Sequence, residues 1–132
     1  MNLKLYFITL ITFLAIDSFW LGLVAPSFYR SQIGHLMADN ANFLAAGIFY
    51  LLYIYGLLIF VILPSLKNES MYQNVIRGAL FGLITYATYD LTNLATLRDW
   101  PLLVTGVDMA WGTILCGITT WVSVWASKRL GI

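Results

Sequence analysis

Three aspartates interrupt long apolar stretches of this 132-residue sequence: Asp17, Asp90 and Asp108. A charged aspartate near the centre of a membrane-spanning helix costs about 2.5–3.5 kcal/mol, so three oppose insertion by about 8–10 kcal/mol if the costs add. A carboxylate that faced lipid would remain unsolvated, and ionisable residues inside a membrane typically mark functional sites. We therefore expect the three side chains to face one another, other polar groups or water.

Aromatic and amide side chains lie near each aspartate. Asp17 and Asp108 are each followed three residues later by a tryptophan, Trp20 and Trp111, and this echo could mark a pseudo-twofold site or arise by chance. The two indoles could line a pocket and offer cation–π surface, or they could be packing or interfacial residues. The predicted ligand-binding set is Asp17, Trp20, Tyr86, Tyr89, Asp90, Asn93, Asp108 and Trp111.

The composition is that of a membrane protein. It is 61% hydrophobic, 16% aromatic and only 10% charged, whereas soluble domains carry about 25% charged residues. The net charge of +1 offers no basic surface for nucleic acid. Cys116 is the only cysteine, which excludes an intrachain disulfide and a thiolate metal cluster. His35 and Asp39 are too few to indicate a metal site, and we predict no metal, no cofactor and no catalytic set.

Four apolar segments, about 3–25, 43–63, 75–97 and 102–126, are each long enough to cross a hydrocarbon core of about 30 Å. Because backbone groups in lipid must be satisfied within the segment, we predict an all-α polytopic bundle of four transmembrane helices in one domain, residues 1–132. The first segment runs past Asp17 to Ala25, which favours a retained helix over a signal peptide. Pro26 is predicted to end the first helix, and Pro64-Ser65 with Lys67, Asn68 and Glu69 is predicted to end the second.

The loop after the first helix mixes aromatic, apolar and charged residues, so a short interfacial helix and an irregular loop are both compatible with it. Trp100, Trp121 and Trp125 lie near helix ends, where interfacial tryptophans are common.

The distribution of basic residues predicts both termini in the cytoplasm, since cytoplasmic loops carry more Lys and Arg. With that orientation five basic residues are cytoplasmic and only Arg30 and Arg98 lie outside; the five are Lys4, Lys67, Arg77, Lys128 and Arg129. All three aspartates then lie in the outer half of the membrane.

The third segment separates into two sides at about 100° per residue. One side is apolar, and we expect it to face lipid. The other is expected to pack inward and carries Gly78, Gly82, Thr85, Tyr86, Tyr89, Asp90, Thr92, Asn93 and Thr96. Gly78 and Gly82 form a G-x-x-x-G pair that permits close helix approach. Tyr86 and Asn93 lie one turn on either side of Asp90 and could hydrogen-bond its carboxyl group.

Several stretches together resemble the bacterial membrane protein family known as domain of unknown function 2177, over nearly the whole chain. They are Ile16-Asp17, Trp20-Leu21-Gly22, Phe28-Tyr29, Gly34-His35-Leu36, Gly56-Leu57-Leu58-Ile59-Phe60, the run from Tyr86 to Leu97, Trp100-Pro101, Asp108 and Trp111-Gly112-Thr113. The resemblance implies a small multi-pass protein of the bacterial inner membrane and supplies no catalytic residues.

The sequence supports three functional hypotheses. The first is a polar intramembrane pocket that binds or transports a cation, a proton or a small amphipathic ligand, with membrane lipids and a homo-oligomer as further partners. The second is a lipid-modifying enzyme that uses paired aspartates for acid–base chemistry. The third is an accessory subunit of a membrane complex. Against all three stands a structural role, in which the aspartates are protonated carboxyl groups or hold the bundle together through hydrogen bonds to tyrosine and asparagine.

Overall fold

Five helices account for most of the fold in the computed structural model, which describes residues 2–132. They are α1 (Leu3–Leu23), α2 (Ala25–Ile33), α3 (Phe43–Leu66), α4 (Met71–Thr96) and α5 (Leu102–Leu130). A 3₁₀ turn, Gly34–Leu36, follows α2, and the described range contains no strand. The all-helical prediction is confirmed.

Side-chain caps fix where three of the helices begin. The side-chain oxygens of Asn2, Asn42 and Ser70 accept hydrogen bonds from the backbone N–H of Lys4, Ala45 and Gln73, respectively, at 2.9, 3.1 and 3.3 Å. These bonds satisfy N–H groups that have no partner within the helix. The cap at Ser70 lets α4 begin at Met71, four residues before the predicted start. At the other end of the chain α5 continues to Leu130 and stops where Gly131 adopts a φ of 66°.

Three helices are long and apolar enough to cross a membrane: α1, α3 and α5. Four were predicted. Helix α4 is long enough, at 26 residues, but the polar residues along one of its sides make it the least hydrophobic of the four long helices.

Pro64 lies inside α3, which continues past the predicted bound at residue 63 and ends at Leu66, within the stretch predicted to stop it. A π-helical segment, Leu58–Ile62, ends two residues before the proline. Proline has no N–H to offer the carbonyl group four residues earlier, and its ring crowds that carbonyl. A wider turn at this point is a common way of accommodating such a disruption. Pro26 lies in the first turn of α2, where proline is well tolerated, and α1 ends before it at Leu23 rather than at Ala25.

Small residues bring α4 and α5 into close antiparallel contact, as the G-x-x-x-G pair predicts. A Cβ atom at Gly82 would collide with the backbone carbonyl of Gly112, and one at Gly78 would collide with Thr120 and the Cys116 carbonyl. Gly112 in turn leaves room for the ring of Tyr86. This is the most extensive helix pair of the fold.

Two contacts define the ends of the bundle. His35 Nε2 lies 3.9 Å from Asp99 Oδ2, so the loop after α2 and the turn before α5 lie at the same end. Lys128 Nζ donates to the Asn68 carbonyl at 3.2 Å, so the end of α5 and the α3–α4 loop share the opposite end. The loop after α1, for which two conformations were left open, forms the short helix α2.

Candidate functional site

A cavity of about 500 Å³ lies between the helices, and all three aspartates line it. Their side chains are almost completely shielded from solvent: Asp17 is 5% exposed, Asp90 0% and Asp108 6%. They come from three different helices, α1, α4 and α5. The structure therefore brings together the three carboxyl groups that the sequence singles out.

Asp17 is held by two donors from other helices. Tyr50 on α3 donates to its Oδ2 at 2.6 Å, and Trp111 on α5 donates to its Oδ1 at 3.1 Å. A buried carboxylate with a hydrogen bond to each oxygen is well satisfied. Asp17 therefore links α1 to two neighbouring helices.

The two Asp–Trp pairs are crossed between α1 and α5. The indole rings of Trp20 and Trp111 stack with centroids 4.7 Å apart and planes 12° from parallel. Trp111 on α5 donates directly to Asp17 on α1. Trp20 on α1 is linked to Asp108 on α5 through Tyr29, because its Nε1 donates to the Tyr29 hydroxyl at 3.3 Å and that hydroxyl donates to Asp108. The sequence echo thus corresponds to a crossed hydrogen-bond arrangement.

Tyr29 lies on α2, outside the long helices, yet its hydroxyl group reaches Asp108. Burial raises the pKa of Tyr29 well above its usual value, and the hydrogen bond to Asp108 and the negative charge of that carboxylate raise it further. The phenol therefore stays protonated at physiological pH and acts as a permanent donor to Asp108. The third carboxyl group, that of Asp90, accepts no such hydrogen bond from a described residue.

Neither carboxyl oxygen of Asp90 has a hydrogen-bond partner, although the side chain is fully buried. The ionised forms of Asp90 and Asp108 are close enough to repel each other electrostatically. A buried carboxylate without a partner is energetically costly unless a proton or a cation compensates its charge. Asp90 therefore receives no hydrogen bond from a tyrosine, tryptophan or other donor among the described residues, and its close neighbour is a second carboxyl group, that of Asp108.

Of the eight residues predicted for the site, seven line the cavity: Asp17, Trp20, Tyr86, Tyr89, Asp90, Asp108 and Trp111. Asn93 does not line it, and neither Asn93 nor Tyr86 hydrogen-bonds Asp90. Trp100, from the turn before α5, lines the cavity instead. Trp100 is only 8% exposed and donates to Thr105 at 3.1 Å, which corrects the prediction that it is interfacial.

A family model described as predicted membrane protein (DUF2177) matches residues 2–125. The chain belongs to this family. No curated protein and no solved structure matches the chain.

In this DUF2177 protein the cavity also contains residues that sequence reasoning missed. The tyrosines of α3 are absent from the predicted set, but Tyr50 donates to Asp17, and the Tyr53 hydroxyl lies 2.7 Å from Thr85 Oγ1 and 3.1 Å from Cys116 Sγ. Tyr29 was quoted only as part of the family resemblance. A helical wheel places Tyr50 and Tyr53 on one side of α3, but no sequence signal identifies Tyr29 as a partner of Asp108.

The wall of the cavity combines carboxyl groups with aromatic rings. Besides the three aspartates it contains nine aromatic side chains: Trp20, Tyr29, Phe49, Tyr50, Tyr53, Tyr86, Tyr89, Trp100 and Trp111. None of the described residues that line it is Lys, Arg or His. Carboxylates and aromatic faces both attract organic cations, whereas the site has no positive group for an anion. The described residues contain no group of three His, Cys, Asp or Glu side chains arranged for a metal ion.

Proposed function

We propose that this protein binds a small organic cation, an amphipathic ammonium compound, in the cavity between its helices. The observation that carries the proposal is Asp90, which is completely buried, lines the cavity and has neither oxygen hydrogen-bonded. An ammonium group beside Asp90 would compensate its charge, and the surrounding rings would add cation–π contacts. The cavity volume is within the range of about 300–1,000 Å³ typical of small-molecule sites.

The other two aspartates support this assignment of roles. Asp17 and Asp108 are hydrogen-bonded within the protein, so they hold the wall in place and add negative potential. Of the three, Asp90 is the one that accepts no hydrogen bond from a described residue. A structural role through Asp–Tyr or Asp–Asn hydrogen bonds would predict such bonds at all three carboxyl groups.

The binding test uses phenethyltrimethylammonium and its neutral carbon isostere, (3,3-dimethylbutyl)benzene, added to the protein in phosphatidylcholine nanodiscs. Tryptophan fluorescence reports binding, because Trp20, Trp100 and Trp111 line the cavity. We expect the cation to bind at least about 10-fold more tightly than the isostere, which corresponds to about 1.4 kcal/mol. Asp90→Asn should weaken cation binding by a similar factor and leave the isostere unaffected.

The matched control is Asp39→Asn, which makes the same chemical change in an exposed loop outside the cavity. It should bind the cation as the unmodified protein does. Equal binding of cation and isostere, or equal losses in the two variants, would refute the proposal.

We further propose that α4 is a fourth membrane span and that both termini lie in the cytoplasm of a bacterial inner membrane. Helix α4 is long enough at about 1.5 Å per residue, and its polar residues Asn74 and Asp90 are buried, while Leu80, Ile84 and Leu91 are exposed. The two end contacts, His35–Asp99 and Lys128–Asn68, support an even number of crossings.

Single cysteines test this topology in intact cells with a membrane-impermeant maleimide. Asp39→Cys and Arg98→Cys should be labelled, whereas Asn68→Cys and Ile132→Cys should be labelled only after the membrane is permeabilised. The native Cys116 is buried and should contribute little background. Labelling of Asn68→Cys in intact cells would contradict the proposed orientation.

A further inference from the structure

The two walls α3 and α4 separate on one side of the cavity. The first part of α3, Phe43–Leu57, makes few contacts with α4, whereas the π segment Leu58–Ile62 packs against it. The last polar link between them is the Tyr53–Thr85 hydrogen bond at 2.7 Å. Beyond that bond, toward the end of the bundle that holds His35 and Asp99, the helices are not joined by any hydrogen bond between described residues.

Two aromatic residues frame the gap. Phe49 lies one helical turn beyond Tyr53 on α3, and Tyr89 lies one turn beyond Thr85 on α4. Both line the cavity, yet Phe49 is 48% exposed and Tyr89 is 58% exposed. A residue that lines a cavity and is also exposed on the outer surface of the bundle marks a place where the two communicate. On the proposed topology this opening faces the outer leaflet.

The end of the cavity toward the loops is partly obstructed, although Leu21 and Met37, which line it there, are 47% and 45% exposed. Trp100 packs edge-on against Tyr89 with ring centroids 5.6 Å apart, and its indole nitrogen is bound to Thr105. The loop after α2 approaches the α4–α5 turn through His35 and Asp99, and it contributes Met37 to the wall. On the proposed topology the side between α3 and α4 is the path that leads directly into the hydrocarbon region, which suits a ligand with an apolar tail.

We infer that the gap between Phe49 and Tyr89 is a lateral portal, and that the ligand is a single-chain lipid with a cationic ammonium headgroup, which reaches Asp90 while the tail lies in the bilayer. This inference rests on the proposed cation site and adds its substrate class and access route. It also excludes zwitterionic phospholipids, because a phosphate next to the ammonium group would enter a wall of three carboxyl groups without Lys, Arg or His.

The test is photoaffinity labelling with dodecyltrimethylammonium that carries a diazirine at mid-chain, in phosphatidylcholine nanodiscs, with adducts mapped by mass spectrometry. Adducts are expected on α3 and α4 around Phe49 and Tyr89, and they should fall at least about 10-fold in Asp90→Asn, the factor expected from losing one charged contact. Asp39→Asn should be labelled like the unmodified protein. A phosphocholine with the same diazirine chain should label the unmodified protein and Asp39→Asn only as weakly as the ammonium probe labels Asp90→Asn.

The outcomes separate this inference from the cation site itself. If phenethyltrimethylammonium binds but the tail labels the loop around Ile33 and Met37, the portal is wrong and the cation site stands. Strong, Asp90-dependent labelling by the phosphocholine probe would overturn the proposed headgroup chemistry. If Asp90→Asn changes neither the binding of phenethyltrimethylammonium nor the labelling by the dodecyltrimethylammonium probe, the cation site and the portal are both refuted.

Discussion

The helices pack in opposite ways at the two ends of the bundle. In the packed half, around Gly78, Gly82 and Gly112, α4 and α5 approach so closely that a single Cβ would collide with the neighbouring helix. In the cavity half, around the three aspartates, all five helices contribute to the wall of a cavity of about 500 Å³. Glycines bring two backbones together in one half, and large aromatic side chains line open space in the other.

Unsatisfied polar groups occur in both halves, but their chemistry differs. The packed half contains buried hydroxyl groups without a hydrogen-bond partner, such as those of Thr119 and Ser123. The cavity half contains Asp90. A neutral hydroxyl without a partner costs far less than an ionised carboxylate. The comparison indicates that the packed half holds the bundle together, whereas the cavity half is incomplete without a proton or a cation.

The largest expected effect comes from disturbing the packed half. Gly82→Ala places a Cβ against the Gly112 backbone, where neither helix can move without separating the pair. Overpacking of this kind typically costs about 1–3 kcal/mol, and we expect the upper end because the colliding atoms are backbone. The measurement is thermal unfolding in detergent, followed by maleimide labelling of Cys116, which is buried in the fold.

Gly106→Ala is the matched control, because a Cβ at Gly106 meets no atom within 4 Å. It should leave the unfolding temperature unchanged or raise it slightly, since alanine favours a helix over glycine. Equal unfolding temperatures for the two variants would show that the close approach of α4 and α5 does not stabilise the bundle.

Sequence patterns predict the packed half better than the cavity half. Hydropathy locates the helical segments, and helical phase places Gly78, Gly82 and Asp90 on the buried side of α4. After Asp90 helical phase no longer predicts burial correctly. Thr92 and Thr96 were expected to face inward, but they are exposed, and their hydroxyl groups donate to carbonyl groups of their own helix. Periodicity describes which residues share a side, but not how far the neighbouring helix extends.

The cavity depends on contacts that no local pattern encodes. Tyr29 and Asp108 are 79 residues apart, and their contact requires the particular path of α2 beneath the end of α1. Trp100 resembles an interfacial residue in sequence because it lies in a turn next to a helix end. Its burial follows from the turn folding back over Asp90, since Thr105 Oγ1 lies within 3.4 Å of the Asp90 backbone carbonyl.

A smaller effect should distinguish two aspartates within the cavity half. Asp17→Asn replaces one acceptor oxygen by an amide NH₂, so the Tyr50 hydroxyl or the Trp111 indole loses its acceptor. An unsatisfied buried donor costs about 1–3 kcal/mol. Asp90→Asn breaks no side-chain hydrogen bond and removes a buried carboxylate without partners. Without ligand, we expect Asp17→Asn to lower the unfolding temperature and Asp90→Asn to leave it unchanged or raise it.

The contrast between these two substitutions separates a binding role from a structural one. If all the carboxyl groups only held the bundle together, both variants would be destabilised to a similar degree. Phenethyltrimethylammonium sharpens the comparison, because a ligand that binds only the folded state raises its stability. Phenethyltrimethylammonium should raise the unfolding temperature of the unmodified protein, and it should raise that of Asp90→Asn much less. The cation should still raise the unfolding temperature of Asp17→Asn, because both oxygens of Asp17 already accept hydrogen bonds, from Tyr50 and Trp111.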